Sequence, residues 1–352
     1  MPIEVERQLN NLFTLRGVKS QIVKVIVGPT FTRYEASVDP FSFRTEQFIA
    51  LEENIAHLVH ASEPPIIYPI YERSVVAIDI LNQQRSPVYL EGLLSKVGDI
   101  STYRLPVVLG SSVQGQPHVI DLVDTPHMLV AGATGSGKSV GLRSMLTSLI
   151  YFNRENTRLL LIDPKAVEMS IFSDLQLAEV ITDLDQARDA LHYVQHQVNA
   201  RYEMLRGAGV SNVAEMKGIP YLVVVIDELA DLLQHDKMIK DDLLKIVQKS
   251  RAAGIHLIAA TQRPSVDIIS GIIKNNFPAR MAFKVSSSED SRVILGNAGA
   301  EKLLGQGDML YRFASSFERL QGAMITNQQI TTLLGKLPST FQRFYKETEN
   351  GK

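Results

Sequence analysis

Residues Gly132-Ala133-Thr134-Gly135-Ser136-Gly137-Lys138-Ser139 set three glycines ahead of a Lys-Ser pair in the spacing G-x-x-x-x-G-K-[ST]. Glycines let backbone N–H groups wrap a phosphate chain, the lysine meets its charge, and the serine hydroxyl suits Mg2+. The spacing has this meaning only between a strand and a helix. Here the apolar residues MLVA precede it and the helix-like run SVGLRSMLTSLIYF follows. The reading is a phosphate site at a helix N-terminus, with Lys138 bridging the β- and γ-phosphates and Ser139 on Mg2+.

Phosphoryl chemistry also needs an acid for the metal. Two apolar runs end in aspartate, LLLID163 and LVVVID227, and only the second continues into a glutamate, Glu228. Asp227 is the expected Mg2+ residue and Glu228 the group that polarises an attacking water, which favours hydrolysis over transfer to a small molecule. Asp163 reads better as a capping carboxylate. Downstream, Ala259-Ala-Thr-Gln262 ends another strand-like run. On spacing alone Gln262 is either a group beside the γ-phosphate or a plain polar strand end. Arg251, near the end of the helix-like run Lys240–Ala253, reads by pattern alone as a solvated or dipole-satisfying residue.

These residues need a frame. Met128–Ala131, Arg158–Ile162, Tyr221–Ile226, Ile255–Ala260 and Met281–Val285 are short β-rich runs separated by helical patterns. The clearest helix carries Ala187, Leu191, Val194, Val198, Tyr202 and Leu205. Continuous apolar strands alternating with helices predict a mainly parallel sheet covered on both faces, an α/β fold. The Gly-rich stretch Gly296–Gly307 leads to a closing strand pair at Met309–Phe313 and Arg319–Met324. Before residue 125 the pattern differs. Gln21–Val27 and Phe31–Val38 flank a Gly28-Pro29 turn, Thr45–His60 has helical spacing, and Val75–Ile80 and Val88–Leu90 look like strands. The expected division is a small α+β module over 1–124, a nucleotide-binding domain over 125–335 and a polar tail over 336–352.

Composition narrows the function classes. The 352 residues are 45% hydrophobic and 21% charged, enough to build a core and about two domains. With no cysteine, thiolate metal sites, disulfides and cysteine nucleophiles are excluded. No apolar run approaches the roughly 20 residues needed to cross a bilayer, and MPIEVERQLN lacks a signal peptide's apolar stretch. A soluble, cytoplasmic protein is expected. Net charge is −2, but Lys and Arg number 10 against 14 acids before residue 125, and 26 against 24 after it. Any contact with nucleic acid must therefore use local basic loops of the second part.

GATGSGKSVG, LLLIDPK, VVVIDELADL, RAAGIHLIAATQRPSVDIISGIIKNNFPAR and VSSSEDSRVILGNAGAEKLLGQGDMLY resemble the motor core of FtsK/SpoIIIE double-stranded DNA translocases. VGPTFTRYE resembles the start of that family's small α domain, and the likeness runs from about Gly17 to about Thr326. The resemblance implies a RecA-like P-loop domain behind a small α+β domain, a homo-hexameric ring, and ATP-driven, sequence-independent pumping of double-stranded DNA. By position, Lys138 and Ser139 match the phosphate lysine and Mg2+ hydroxyl, Asp227 and Glu228 the metal and catalytic carboxylates, and Gln262 the sensor. Arg251 falls at the family's trans-acting arginine finger, which replaces its blander reading. Arg263 and Lys274 fall in the segment facing DNA, Arg292 matches another basic position, and Ser288 stands where the family often has lysine. Familiar members add membrane helices, a linker and a winged-helix domain, so a bare motor is expected, serving chromosome or plasmid partition. Related engines that secrete protein, or a ring scaffold that merely binds ATP, are the alternatives. The Gln262-Arg263-Pro264 and Lys274 cations favour DNA, since phosphate contacts need Arg or Lys.

Overall fold

Runs such as Leu159–Ile162 and Leu222–Ile226 have no polar face, so they fold only where both faces are covered. The computed structural model describes residues 2–39, 41, 44–61, 63–314 and 316–335. The expected polar tail over 336–352 lies outside the described residues.

The chain opens with α1 (Pro2–Leu15), the hairpin β1 (Ile22–Val27) and β2 (Phe31–Ser37), helices α2 (Thr45–Ile49) and α3 (Glu52–Leu58), then β3 (Ile66–Ile70) and β4 (Val75–Leu81). The strands pair antiparallel in the order β1-β2-β4-β3. The helix expected over Thr45–His60 is two helices, because Leu51, at φ −94° and ψ 0°, leaves helical geometry. This break lets Phe48, Leu51 and Ile55 share one core with Leu9, Phe13 and one face of the small sheet. The other face, through Ile66, Tyr68 and Ala77, joins the core of the larger sheet.

After α4 (Leu90–Leu94) come β5 (Pro106–Ser111), β6 (Pro117–Asp121), β7 (His127–Ala131), α5 (Lys138–Asn153), β8 (Thr157–Ile162), β9 (Ala178–Ile181) and the long α6 (Leu184–Ala208). Then follow β10 (Tyr221–Ile226), α7 (Leu229–His235), α8 (Lys237–Lys249), β11 (Ile255–Thr261), α9 (Gly271–Asn276), β12 (Ala279–Phe283), α10 (Ser288–Leu295), β13 (Asp308–Phe313), β14 (Ser316–Gly322) and α11 (Asn327–Leu334). The large sheet runs β6-β5-β14-β13-β12-β7-β11-β10-β8-β9. From β12 to β9 it is parallel, and from β12 to β6 antiparallel. Along β10, Leu222, Val224 and Ile226 face one core with α6 and α8, while Val223 and Val225 face another with α5. The alternation is the period of a strand buried on both sides.

Two expectations shift. Val88–Leu90 is not a strand: Tyr89 makes only a bridge to Met324 before α4 starts. The boundary expected at 124/125 does not coincide with the sheets. β5 and β6, which precede it, enter the large sheet through Gln321–Ser111 and Gly322–Gly110 pairing.

A buried ionic cluster locks the small sheet to the large one. Arg319 on β14 donates to both oxygens of Asp308 at 2.9 and 2.8 Å, stacks over Phe31 at 4.2 Å, and lies 3.5 Å from Asp79 on β4. Asp79 also takes two bonds from Arg33, at 2.7 and 3.0 Å, and one from the Tyr68 hydroxyl. With two cations against two carboxylates, every charge in this dry cluster has an opposite.

Candidate nucleotide site

Strands β7, β11 and β10 are parallel neighbours, so their carboxyl ends bring three separate sequence segments side by side at the strand spacing of about 4.8 Å. The Gly132–Ser139 loop leaves β7 and ends in Gly137, the N-cap of α5, at φ +101°. A Cβ there would lie 2.3 Å from the Gly307 nitrogen, so both conformation and space demand glycine. Gly307 in turn donates to the Ser136 carbonyl at 2.9 Å, pinning the loop against the turn before β13. Lys138 is buried and donates to the Asp227 carbonyl at 2.8 Å, with Oδ1 at 3.3 Å. Burial raises the Asp227 carboxyl above its ordinary range, and Lys138 opposes that shift.

Glu228 is 2% exposed, and both of its oxygens are bonded. The Thr261 hydroxyl donates to Oε1 at 2.6 Å and the Gln262 backbone N–H to Oε2 at 2.9 Å. The Gln262 side-chain oxygen accepts from Thr134 of the loop at 2.9 Å. The phosphate loop, the two carboxylates and Gln262 thus form one connected set. Asp163 has its Oδ2 on the backbone N–H groups of Glu168 and Met169, as a capping carboxylate does. Thr261 and the Gly307 contact escaped the sequence reading. Thr261 had one signal, a hydroxyl at a strand end directly before Gln262.

The set fits a hard cation: one hydroxyl, Ser139, and one carboxylate, Asp227, leave room for phosphate oxygens and water. A cleft of about 650 Å³ opens over it, lined at this end by Thr134, Lys138, Ser139 and Gln262.

The remaining candidates lie elsewhere. Arg251 is not within a helix, since α8 stops at Lys249; it is exposed in the turn leading to β11. That turn is at the opposite edge of the sheet from Gln262, a strand of seven residues or about 20 Å away. Arg263 is exposed just past β11, its backbone N–H on Thr261. Lys274 is half-buried and donates to the Arg292 carbonyl at 2.9 Å, and Arg292 bonds the Ser288 hydroxyl at 3.2 Å. Burial, with Arg280 and Arg312 nearby, holds the Lys274 amine below its usual value. Lys274 and Arg292 therefore share one bonded cluster that does not include Arg263.

The FtsK/SpoIIIE family matches residues 91–219 and 214–266, and the FtsK alpha domain matches 3–82. The chain is 37% identical over 362 residues to DNA translocase FtsK of Oceanobacillus iheyensis, covering 97% of this chain and 46% of that one. It is 37% identical to DNA translocase SpoIIIE of Bacillus subtilis, covering 98% and 46%. It thus spans about half the length of the curated relatives it matches. In fold it is similar to the pCW3 conjugation coupling protein TcpA, solved with ATPγS, at TM-score 0.64 and 24% identity over 94% of this chain and 99% of that one. The type VII secretion ATPase EccC of Thermomonospora curvata has TM-score 0.64 and 24% identity over 73% of this chain and 35% of that one. No helix among the described residues is long and apolar enough to cross a membrane. The two matched models cover most of the chain, in the order of its two sheets, and the chain belongs to the FtsK/SpoIIIE family.

Proposed function

We propose that this chain hydrolyses ATP and uses the energy to translocate double-stranded DNA without regard to sequence, as a homo-hexameric ring in the cytoplasm. The observation that carries the reading is the buried Glu228 carboxylate, fixed by Thr261 and the Gln262 N–H beside the Lys138–Asp227 pair. A carboxylate so oriented, next to a phosphate loop, suits a general base for water. Lys138 exchanges Asp227 for the β- and γ-phosphates as nucleotide enters, and the loop and α5 N-terminus hold the chain of phosphates. Ser139 and Asp227 would hold Mg2+, which supplies charge neutralisation at the phosphates. Gln262, already bonded to Thr134, senses the γ-phosphate position. Arg251 cannot reach its own site across the sheet, which supports a role at a neighbour's nucleotide. We also place the division between the two domains near residues 82–90, where the small sheet ends and the chain passes to α4.

Relatives named as DNA translocases, at 37% identity, support DNA over protein as the cargo. The likeness to EccC is one of fold. Arg263 is exposed, and among the described residues its guanidinium makes no hydrogen bond or ion pair. The direct test is ATPase rate and duplex binding against salt. Long duplex DNA should stimulate hydrolysis, and binding should weaken with salt by about 0.9 in log slope per phosphate met. Removing Arg263 should flatten that slope. No stimulation by any duplex would sink the DNA reading and leave hydrolysis intact.

A further inference from the structure

Away from the cleft, His192 and His196 stand one turn apart on α6. Residues spaced by four share a face of a helix. This face points out of the fold: Ala187, Leu191, Val194 and Val198 fill the core, while both imidazoles are exposed. The helix beneath them is well fixed. Asp183 caps its first turn by accepting from the Gln186 N–H at 2.9 Å, and Gly209 closes its last turn at φ +68°. The Tyr202 hydroxyl, on the Lys249 carbonyl, ties α6 to the end of α8.

The two Nε2 atoms are 3.1 Å apart, with ring centroids at 4.6 Å and ring planes at 78°. Imidazole nitrogens bind zinc at about 2.0–2.1 Å, so two on one ion, at angles of about 90–110°, stand about 2.9–3.4 Å apart. The pair has that separation. Behind His192, an oxygen of the Asp242 carboxylate on α8 lies 3.9 Å from Nδ1. An acid on that side favours the proton on Nδ1 and leaves the Nε2 lone pair for a metal. Asp242 is buried and held by Lys245 at 3.3 Å, so its position is set by more than the histidine. His235, which also lies against α6, is spent on Asp185 at 3.2 Å.

Imidazole suits Zn2+, Ni2+ and Cu2+, whereas Mg2+ takes oxygen, so this pair differs in chemistry from Ser139 and Asp227. Among the described residues no group of three His, Asp or Glu comes together around an ion. We infer that His192 and His196 form a two-histidine site for a divalent transition ion of the Zn2+ class, with Asp242 orienting His192 and water in the remaining positions. A bound ion bridges one turn of α6 and fixes two side chains that otherwise face solvent.

The test is Zn2+ binding by calorimetry on the full chain, without a histidine tag and with Mg2+ in excess to fill oxygen sites. One Zn2+ per chain is expected. His192→Gln and His196→Gln should each weaken it about tenfold or more, because a single imidazole remains. Asp242→Asn should weaken it about three- to tenfold, at or below the low end for an outer carboxylate. His235→Gln should stay within about twofold. With Cu2+ as the probe, electron paramagnetic resonance should show two imidazole nitrogens in the parent and one in either single variant. Both rings are exposed, and unchanged melting without metal verifies that the variants fold. If the parent takes up no Zn2+, the site is wrong and the pair is a hydrogen bond between imidazoles. Uptake unchanged in the His192→Gln and His196→Gln double variant also overturns it, by placing the ion elsewhere. So does equal weakening by His235→Gln, which would put the ion nearer Asp185.

Discussion

At the carboxyl-end edge of the large sheet, polar side chains bond one another: Lys138 with the Asp227 carboxylate at 3.3 Å, Thr261 with Glu228, Thr134 with Gln262. At the amino-end edge, side chains bond mostly the backbone around the exposed Arg251. The Tyr202 hydroxyl donates to the Lys249 carbonyl at 2.8 Å, and Arg201 donates to Ala253 at 2.8 Å and Pro220 at 2.9 Å. His127 accepts from the Leu257 N–H at Nδ1, so its Nε2–H faces the Ser250 hydroxyl at 3.3 Å. The turn carrying Arg251 is clamped on both sides. Among the described residues the Arg251 guanidinium itself makes no hydrogen bond or ion pair. One edge brings polar groups together; the other holds the exposed Arg251 on a turn whose backbone is bonded on both sides. Rigid mounting of an unspent cation is what a group acting on another molecule's phosphate requires.

The largest effects should come from breaking the first edge. Lys138→Ala should abolish hydrolysis by removing the cation from the phosphates. Glu228→Gln should keep nucleotide binding and lose about 10²–10⁴-fold in turnover, the range of a general base. Wild-type turnover in Glu228→Gln would move the base elsewhere. A smaller effect sharpens the same edge. Thr261→Val removes one of the two bonds that orient Glu228 and should lower kcat about tenfold, equivalent to about 1.4 kcal/mol, with KM little changed. Thr261→Ser should restore it. A Thr261→Val enzyme with normal kcat would show that Glu228 is positioned by other means.

The mildest effect belongs to the second edge and is one of stability. Burial, with His256 nearby, pushes His127 down to about 3, and burial pushes His256 down to about 4. Both stay neutral in the folded chain while the unfolded chain protonates below about 6.5. Their contribution is therefore complete above that pH and declines as pH falls towards 4. Asp227, raised by burial, contributes with the opposite sign. Urea midpoints should drop between pH 7 and pH 5, and less so after His127→Gln and His256→Gln together. An identical slope in that double variant would remove the histidines from the account.

Much of the first edge was legible in sequence, because it is made of local patterns. The glycine-lysine loop, the apolar run ending in Asp227-Glu228 and the run ending in Gln262 each announce themselves within ten residues. Their adjacency follows from parallel pairing of β7, β11 and β10. What escaped depends on contacts distant in sequence. Nothing local shows that Lys274 bonds Arg292, or that β5 joins the large sheet beside β14. The helical spacing of Lys240–Ala253 takes in Arg251. The helix stops at Lys249 because the Ser250–Gly254 turn must reverse the chain into β11, with Gly254 at φ +64°.

We propose that the two edges meet between subunits, and mixing inactive variants separates this from a structural role for Arg251. Arg251→Ala subunits keep an intact phosphate loop, and Lys138→Ala subunits keep an intact arginine. Each alone should be inactive, with loss of a trans-acting arginine worth about 10³–10⁵ in turnover. Mixed and verified to co-assemble, they should regain ATP hydrolysis at interfaces that pair the intact loop of one with the intact arginine of the other. Mixed assemblies as inactive as either parent would contradict the account and return Arg251 to a structural role in its turn.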